Sequence, residues 1–298
     1  MDEIPEDFIR LLSLEYGEAG ERFIAELPQR IEHFLENWAL SSSGKFMHGA
    51  TALVLPVLMK NGDTAALKFP YLDGESNGEP IALGAWGGQA SVRLFAHDEV
   101  TGTMLLERLD PDRTLLKLAE TDSRVAVHSI GLLLNRLTSV RAPEGLPRLR
   151  DVTRKILSEA PGVLDGCEPN GDRRLALSCL AVLAEVAQES GDRLLHNDLH
   201  FGNVLGAERE DWLAIDPRPV SGDPGYELLT VLASHYIADE VIWRFDLLTE
   251  MLALDRERAT AWTLGRLLLG ILRDVEESSV AVLDEMQREI ITLLLYRK

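Results

Sequence analysis

The sequence predicts an α+β fold of two lobes: a small antiparallel β lobe containing one helix, followed by a larger, mainly helical lobe. Three observations carry this. Between about residues 44 and 109 the apolar residues alternate or run in short blocks broken by turn signals. Beyond Pro111 the apolar spacing changes to the helical period. The 298 residues also exceed one minimal core and suit lobes of roughly 100 and 200 residues. The boundary is expected at the connector near 107–110, dividing the chain into 1–109 and 110–298.

Each element has its own local signal. Phe23, Ile24, Leu27, Ile31, Phe34, Leu35 and Trp38 recur at helical spacing, so residues 20–38 form an amphipathic helix. Residues 51–59 are rich in Val and Leu, Asn61-Gly62 is a hairpin signal, and 64–69 is the returning strand. Residues 79–86 form a short helix closed by Gly87-Gly88. Two further strands are expected at 91–96 and 103–108. In the second lobe, 125–137 and 174–189 carry apolar stripes, with Pro143, Gly145 and Pro147 marking a loop between them and Gly191 ending the second helix. Short strands at 194–196 and 212–215 flank a loop that contains Asn203, and from Tyr226 onward the chain reads as helices.

Composition narrows the partners. An apolar share of 46% and a charged share of 27% are ordinary for a folded soluble chain. No apolar run approaches the roughly 20 residues needed to span a bilayer. The acidic start, Met1 to Asp7, lacks the pattern of a secretion signal. Cys167 and Cys179 have no metal-type spacing and are expected to stay reduced, which places the chain in the cytoplasm. A net charge of −19 argues against nucleic acid and anionic membranes, which clustered Lys and Arg bind, and favours a cationic small molecule.

The most informative stretch is His196-Asn197-Asp198-Leu199-His200-Phe201-Gly202-Asn203, of the form H-x-D-x-x-x-x-N, followed by Ile215-Asp216-Pro217-Arg218 at the end of an apolar strand. Phosphoryl transfer needs one carboxylate to orient and deprotonate the attacking hydroxyl, and a carboxamide plus a second carboxylate to hold Mg²⁺. Asp198 fits the first role, and Asn203 with Asp216 the second, because hard cations take oxygen donors. An isolated Asp would read as a turn cap; the four residues at these offsets point to chemistry. His196 is expected to hold the loop by packing and hydrogen bonding. His196, Asp198 and His200 alternate as zinc ligands could, but no fourth ligand of suitable spacing lies nearby. Arg218 fits either a phosphate contact or a structural ion pair.

Upstream, Lys68 lies on a strand among Ala65, Ala66, Leu67 and Phe69, where it would point into a cleft and pair with nucleotide phosphates. Glu79 on the next helix would hold it there. The Gly44-to-Thr51 turn could cradle phosphate with backbone amides, although no G-x-G-x-x-G or Walker-type signature is present. Leu106 to Leu109 would meet the adenine edge, with Glu107 offering a carbonyl.

These residues resemble the aminoglycoside phosphotransferase family of the protein-kinase-like fold, and within it the streptomycin 6-phosphotransferase and hydroxyurea phosphotransferase group. The resemblance covers residues 45–230. It rests on Leu53-Val54-Leu55-Pro56-Val57, Ala66-Leu67-Lys68-Phe69-Pro70, the run from Glu79 through Trp86 to Gly88, and Val92-Arg93-Leu94. Leu105 to Leu109, Leu195 to Leu205 and Trp212 to Pro217 complete it. It implies ATP or GTP as donor, Mg²⁺, and a hydroxyl of a cationic aminocyclitol as acceptor, streptomycin first among them. By the same match, Asp198 takes the base position, Asn203 and Asp216 the metal positions, and Lys68 with Glu79 the phosphate-positioning pair. The first lobe is then the nucleotide-binding lobe, and the second holds the catalytic loop and acceptor site. Two positions depart from the group: Asn197 stands where Gly is usual, and Arg218 where Lys is common.

From Pro219 onward the chain holds 14 Asp and Glu against 8 Lys and Arg. Asp223, Glu227, Asp239 and Glu240 could bind ammonium or guanidinium groups there, or simply form a solvated helix face. The expected activity is antibiotic phosphorylation; the alternatives are a kinase of another hydroxylated amine or sugar metabolite, and a nucleotide-binding protein without catalysis.

Overall fold

A computed structural model describes residues 3–72, 78–167, 169–278 and 283–296. The helical reading from Tyr226 onward is therefore described for 226–278 and 283–296, and its remainder lies outside the described residues. The chain divides into two compact units, Met1–Leu109 and Asp110–Lys298. No described helix is long and apolar enough to cross a membrane.

The first unit is one antiparallel sheet with a long helix on one face. Helix α1 (Glu6–Asn37) is two helical segments joined at Gly17, whose φ of 54° and ψ of −134° suit glycine. That break hides the first segment from a periodicity argument, which finds a helix only over 20–38. Phe23, Leu27, Ile31 and Phe34 form its buried stripe. They pack on Leu53, Leu55 and Val57 of β3 (Ala52–Leu58) and on Ala65, Leu67 and Phe69 of β4 (Thr64–Pro70). Strands β1 (Ser41–Ser42) and β2 (Met47–His48) both pair with β3, and the sheet continues through β4 to β6 (Met104–Glu107) and β5 (Leu94–His97). Since a strand alternates its faces, burying Leu67 and Phe69 under α1 turns Lys68 to the opposite face.

The second unit is mainly helical: α3 (Leu115–Ala119), α4 (Ser123–Leu137), α5 (Leu149–Asp165), α6 (Gly171–Val186), α7 (Leu228–Ala233), α8 (Val241–Met251), α9 (Arg256–Ser278) and α10 (Glu285–Tyr296). Helix α5 has no counterpart in the sequence reading, which marks a loop at Pro143, Gly145 and Pro147 and assigns no element to 149–165. Helix α9 is the central support, with Trp262, Leu264 and Leu268 fully buried against α6 and its neighbours. Gly265 permits that approach: a β-carbon there would stand 2.5 Å from Leu183 of α6.

Two small ladders are set among these helices. Strands β7 (Asp110–Thr114), β9 (Val204–Gly206) and β10 (Trp212–Ala214) form one sheet, and β8 (Arg193–Leu195) pairs with β11 (Val220–Gly222) in another. The two strands expected to flank the Asn203 loop therefore belong to different sheets. Three-residue strands are too short to show their partners by periodicity.

Candidate functional site

In the first unit the structure brings Lys68 and Glu79 together. Helix α2 (Glu79–Trp86) buries Glu79, Ala82, Leu83 and Trp86, positions i, i+3, i+4 and i+7, so the carboxylate lies on the apolar face of its own helix. Lys68 Nζ donates to both carboxylate oxygens, at 2.8 and 2.7 Å, with both residues buried. Each charge is costly to bury alone, so each holds the other in place.

In the second unit the H-x-D-x-x-x-x-N segment is suspended between the two ladders. It leaves β8 at Leu195 and enters β9 at Val204, closing with a 3₁₀ turn over 201–203. Register does most of the positioning. Val204 pairs with Ala214, and one step further the Ile215 N–H donates to the Asn203 carbonyl at 3.0 Å. Asn203 and Asp216 are thereby neighbours across the mouth of one hairpin. Leu195 pairs with Val220, and beyond it the Arg218 N–H donates to the His196 carbonyl at 3.0 Å.

His196 ties the ladders together. Its Nε2–H donates to the Ile215 carbonyl at 3.0 Å, and its Nδ1 accepts the Asp198 N–H at 3.3 Å. Those partners require the neutral tautomer with hydrogen on Nε2. Burial pushes its pKa down to about 3, opposed by the Ile215 carbonyl and the Asp216 charge. With both ring nitrogens occupied, His196 holds the loop and is not arranged as a zinc ligand.

Asp198 itself is half-buried. Burial raises its carboxyl pKa and Asp216 adds to the rise, while His200, Arg218 and Arg266 oppose it. The Asn203 side-chain N–H donates to the Asp198 carbonyl at 2.9 Å, which leaves its amide oxygen as the acceptor end. Asn203 and the exposed Asp216 both offer oxygen donors, the kind Mg²⁺ takes with water and phosphate completing its shell. Asp216 adopts φ 59°, a left-handed conformation uncommon outside Gly, Asn and Asp. Arg218 Nε lies 3.7 Å from Asp198 Oδ2, an ion pair at the surface.

Residue 197 is held from every side. Asn197 has φ 62°, so the position needs a residue that tolerates the left-handed region, as Gly or Asn does. Its N–H donates to both Glu227 oxygens, at 2.9 and 3.2 Å, and its side-chain N–H donates to the Arg218 carbonyl at 2.9 Å. Arg266 of α9 donates to the Asn197 carbonyl and, at 3.1 Å, to the Tyr226 carbonyl, and lies over the Tyr226 ring. Glu227 is fully buried, which pushes its pKa up against the pull of Arg266 and the Asn197 N–H. Arg266 stands 69 residues from Asn197, and sequence spacing offers no signal for it. Buried Arg244 is equally silent in sequence; it donates to the Ser234 and His235 carbonyls at 2.9 and 3.1 Å, while the Ser234 hydroxyl accepts the Phe201 N–H at 3.0 Å.

Other expected site residues are placed differently. Glu227 faces inward as described. Asp223, also buried, accepts the Gly225 N–H at 2.8 Å and pairs with Arg258 at 2.7 Å. Glu240 accepts from Arg244 Nε at 3.0 Å and from Ser123. These three carboxylates are engaged within the chain, and neither a ligand-facing row nor a solvated face describes them. Asp239 is exposed. Gly44 and Thr51 do not share a turn: Gly44 packs by Pro56, β2 intervenes, and the hairpin turn proper closes with Gly49 N–H on the Ala52 carbonyl at 3.0 Å. Glu107 ends β6 opposite Ala65 and accepts the Arg93 N–H at 3.1 Å; Leu109 closes the unit.

Comparison with known proteins places the chain in a family and a fold. The family model described as aminoglycoside/hydroxyurea antibiotic resistance kinase matches residues 37–276. A hydroxyurea phosphotransferase of Kitasatospora aureofaciens is 53% identical over 295 residues, 99% of this chain and 86% of that protein. A streptomycin 6-kinase of Streptomyces glaucescens is 44% identical over 288 residues, 94% of this chain and 93% of that protein. Among solved structures, a thermostable mutant of aminoglycoside phosphotransferase APH(4)-Ia, in ternary complex with AMP-PNP and hygromycin B, aligns with a TM-score of 0.59. It is 15% identical and covers 88% of this chain and 97% of that one, a likeness of fold.

Proposed function

We propose, for a chain that belongs to the aminoglycoside/hydroxyurea antibiotic resistance kinase family and is a phosphotransferase on that ground, that it moves the γ-phosphoryl group of ATP or GTP to a hydroxyl of a small antibiotic-type acceptor. The observation that carries this reading is the arrangement of Asp198, Asn203 and Asp216 around one hairpin mouth, with His196 locking the loop. Asp198 orients the acceptor hydroxyl and takes its proton. Asn203 and Asp216 would hold Mg²⁺, which would supply neutralisation of charge on the transferred phosphate. Lys68, fixed by Glu79, reaches the nucleotide phosphates, and Thr51 and Gly44 flank β3 in the same unit.

Two acceptors fit. Streptomycin suits the net charge of −19, which draws cations, and the 44% identical relative bears that substrate in its name. Hydroxyurea is the second reading, favoured by the 53% identical relative. Nucleotide consumption with each acceptor, followed by mass analysis, decides: a product heavier by one phosphoryl group is expected, and its loss in Asp198→Ala assigns the base. A wild-type protein that consumes nucleotide with neither and yields no phosphorylated product overturns the reading.

A further inference from the structure

Asn197 and Arg218, both beside Asp198, touch each other. Asn197 donates its side-chain N–H to the Arg218 carbonyl at 2.9 Å, and the Arg218 N–H is taken by the His196 carbonyl at 3.0 Å. The Arg218 main chain is thus pinned at both ends of its residue. Its guanidinium is then delivered to Asp198, Nε to Oδ2 at 3.7 Å, while 67% of the Arg218 side chain remains exposed. A glycine at 197 could hold the same backbone, since φ there is 62°, but it has no amide to offer Arg218. Asn197 is in turn held by Glu227 and Arg266, so the line of contacts runs from the buried core to the reacting carboxylate.

We propose that Asn197 and Arg218 act as one unit that selects the acceptor. Asn197 is the positioning residue, and Arg218 is the specificity-determining one. Distant acidic surface attracts cations, but the immediate neighbour of Asp198 is itself a cation. An acceptor bearing a positive group beside its reacting hydroxyl meets Arg218 at close range and must displace it. An acceptor with a compact, uncharged hydroxyl does not. The site therefore favours the uncharged class. A guanidinium also presents a rigid donor fork that an ammonium lacks, so Lys at 218 would keep the charge but not the aim.

This inference rests on the phosphotransfer reading, and the test separates the two. The variants Arg218→Gln, Arg218→Lys, Asn197→Gly and the Asn197→Gly/Arg218→Gln double are assayed for kcat and KM with hydroxyurea and with streptomycin. Kd for each acceptor is measured by calorimetry without nucleotide. Arg218→Gln is expected to shift the kcat/KM ratio toward streptomycin by roughly five- to fiftyfold, the size of one charge contact near a protein surface, mainly through KM. Arg218→Lys, which keeps the charge but not the aim, should move it in the same direction by less than Arg218→Gln does. Asn197→Gly should move it the same way as Arg218→Gln, and the double should add nothing beyond Arg218→Gln. Unchanged ratios and Kd values in Arg218→Gln, or additive effects in the double, overturn the inference while leaving phosphotransfer standing. If wild-type protein turns over neither acceptor, phosphotransfer fails and the Kd series alone decides selection. Arg218 is exposed, so Arg218→Met serves as a second uncharged variant should the Gln protein fail to fold.

Discussion

Lys68 and Glu79 stand 2.7 Å apart with both side chains 8% exposed, whereas Asp198 and Arg218 stand 3.7 Å apart with 31% and 67% exposed. The first pair is self-sufficient: strand alternation turns the lysine to one face, a helix period turns the glutamate inward, and burial does the rest. The second is the outermost link of a network whose inner members, Glu227 and Arg266, are 30 and 69 residues from Asn197. A buried pair enforces its own geometry because breaking it strands a charge. An exposed pair has no such enforcement, so its geometry is fixed through the backbone. Long-range hydrogen bonds to residue 197 supply that fixing.

The contrast breaks most sharply at Asp198. Asp198→Ala should lower phosphoryl transfer by about 10²- to 10⁴-fold, the usual share of a positioned proton acceptor, with little change in thermal stability. A variant that keeps most of the rate in a nucleotide-coupled assay would falsify the base assignment. Lys68→Met should behave differently, costing both activity and about 3–5 kcal/mol of stability by taking its ammonium partner from the buried Glu79 carboxylate. Pairing it with Glu79→Leu should recover most of that stability in urea unfolding without recovering activity. If the double mutant stays as unstable as the single, the pair is not what holds that face.

Smaller effects test the loop. His196 has a folded pKa of about 3 against 6.5 when unfolded, so below pH 6.5 the unfolded chain takes up a proton that the folded chain refuses. Its contribution is complete above 6.5 and declines by about 1.4 kcal/mol per pH unit as pH falls toward 3. Urea midpoints at pH 7.5, 6 and 5 should show that slope, and His196→Gln should flatten it. Asn197→Ala should cost about 1–2 kcal/mol through the left-handed backbone, while Asn197→Gly should cost clearly less. Equal losses would mean that φ at 197 is not what the position demands. Least of all, Asp239→Asn should change stability by less than about 0.5 kcal/mol, and any rise in KM for a cationic acceptor should vanish in high salt.

Local pattern made much of the molecule legible. Hairpin β3–β4 follows from Asn61-Gly62 between apolar runs, and helix α2 and the Lys68–Glu79 pair follow from two short periodicities meeting. The spacing of His196, Asp198, Asn203 and Asp216 names a chemistry because each offset is short and each residue type is scarce in its alternatives. The unusual residue at 197 was visible too, though only its φ explains why Gly or Asn is needed there.

Elsewhere the sequence was silent or misleading. Two three-residue strands carry no mark of their partners, so the division of 194–196 and 212–215 between separate sheets emerges only from the ladders. Acidic residues beyond 219 suggested a cation-binding face, yet Asp223, Glu227 and Glu240 turn to Arg258, Asn197 and Arg244. Net charge counts carboxylates without saying which way they point. What the sequence determined by itself was the candidate site residues and the local elements that carry them, since these depend on neighbours within a few residues. What only the tertiary structure decided was which charges are used internally and how residue 197 links Arg266, Glu227 and Arg218 to Asp198, because hydrogen bonds between distant segments leave no periodicity to read.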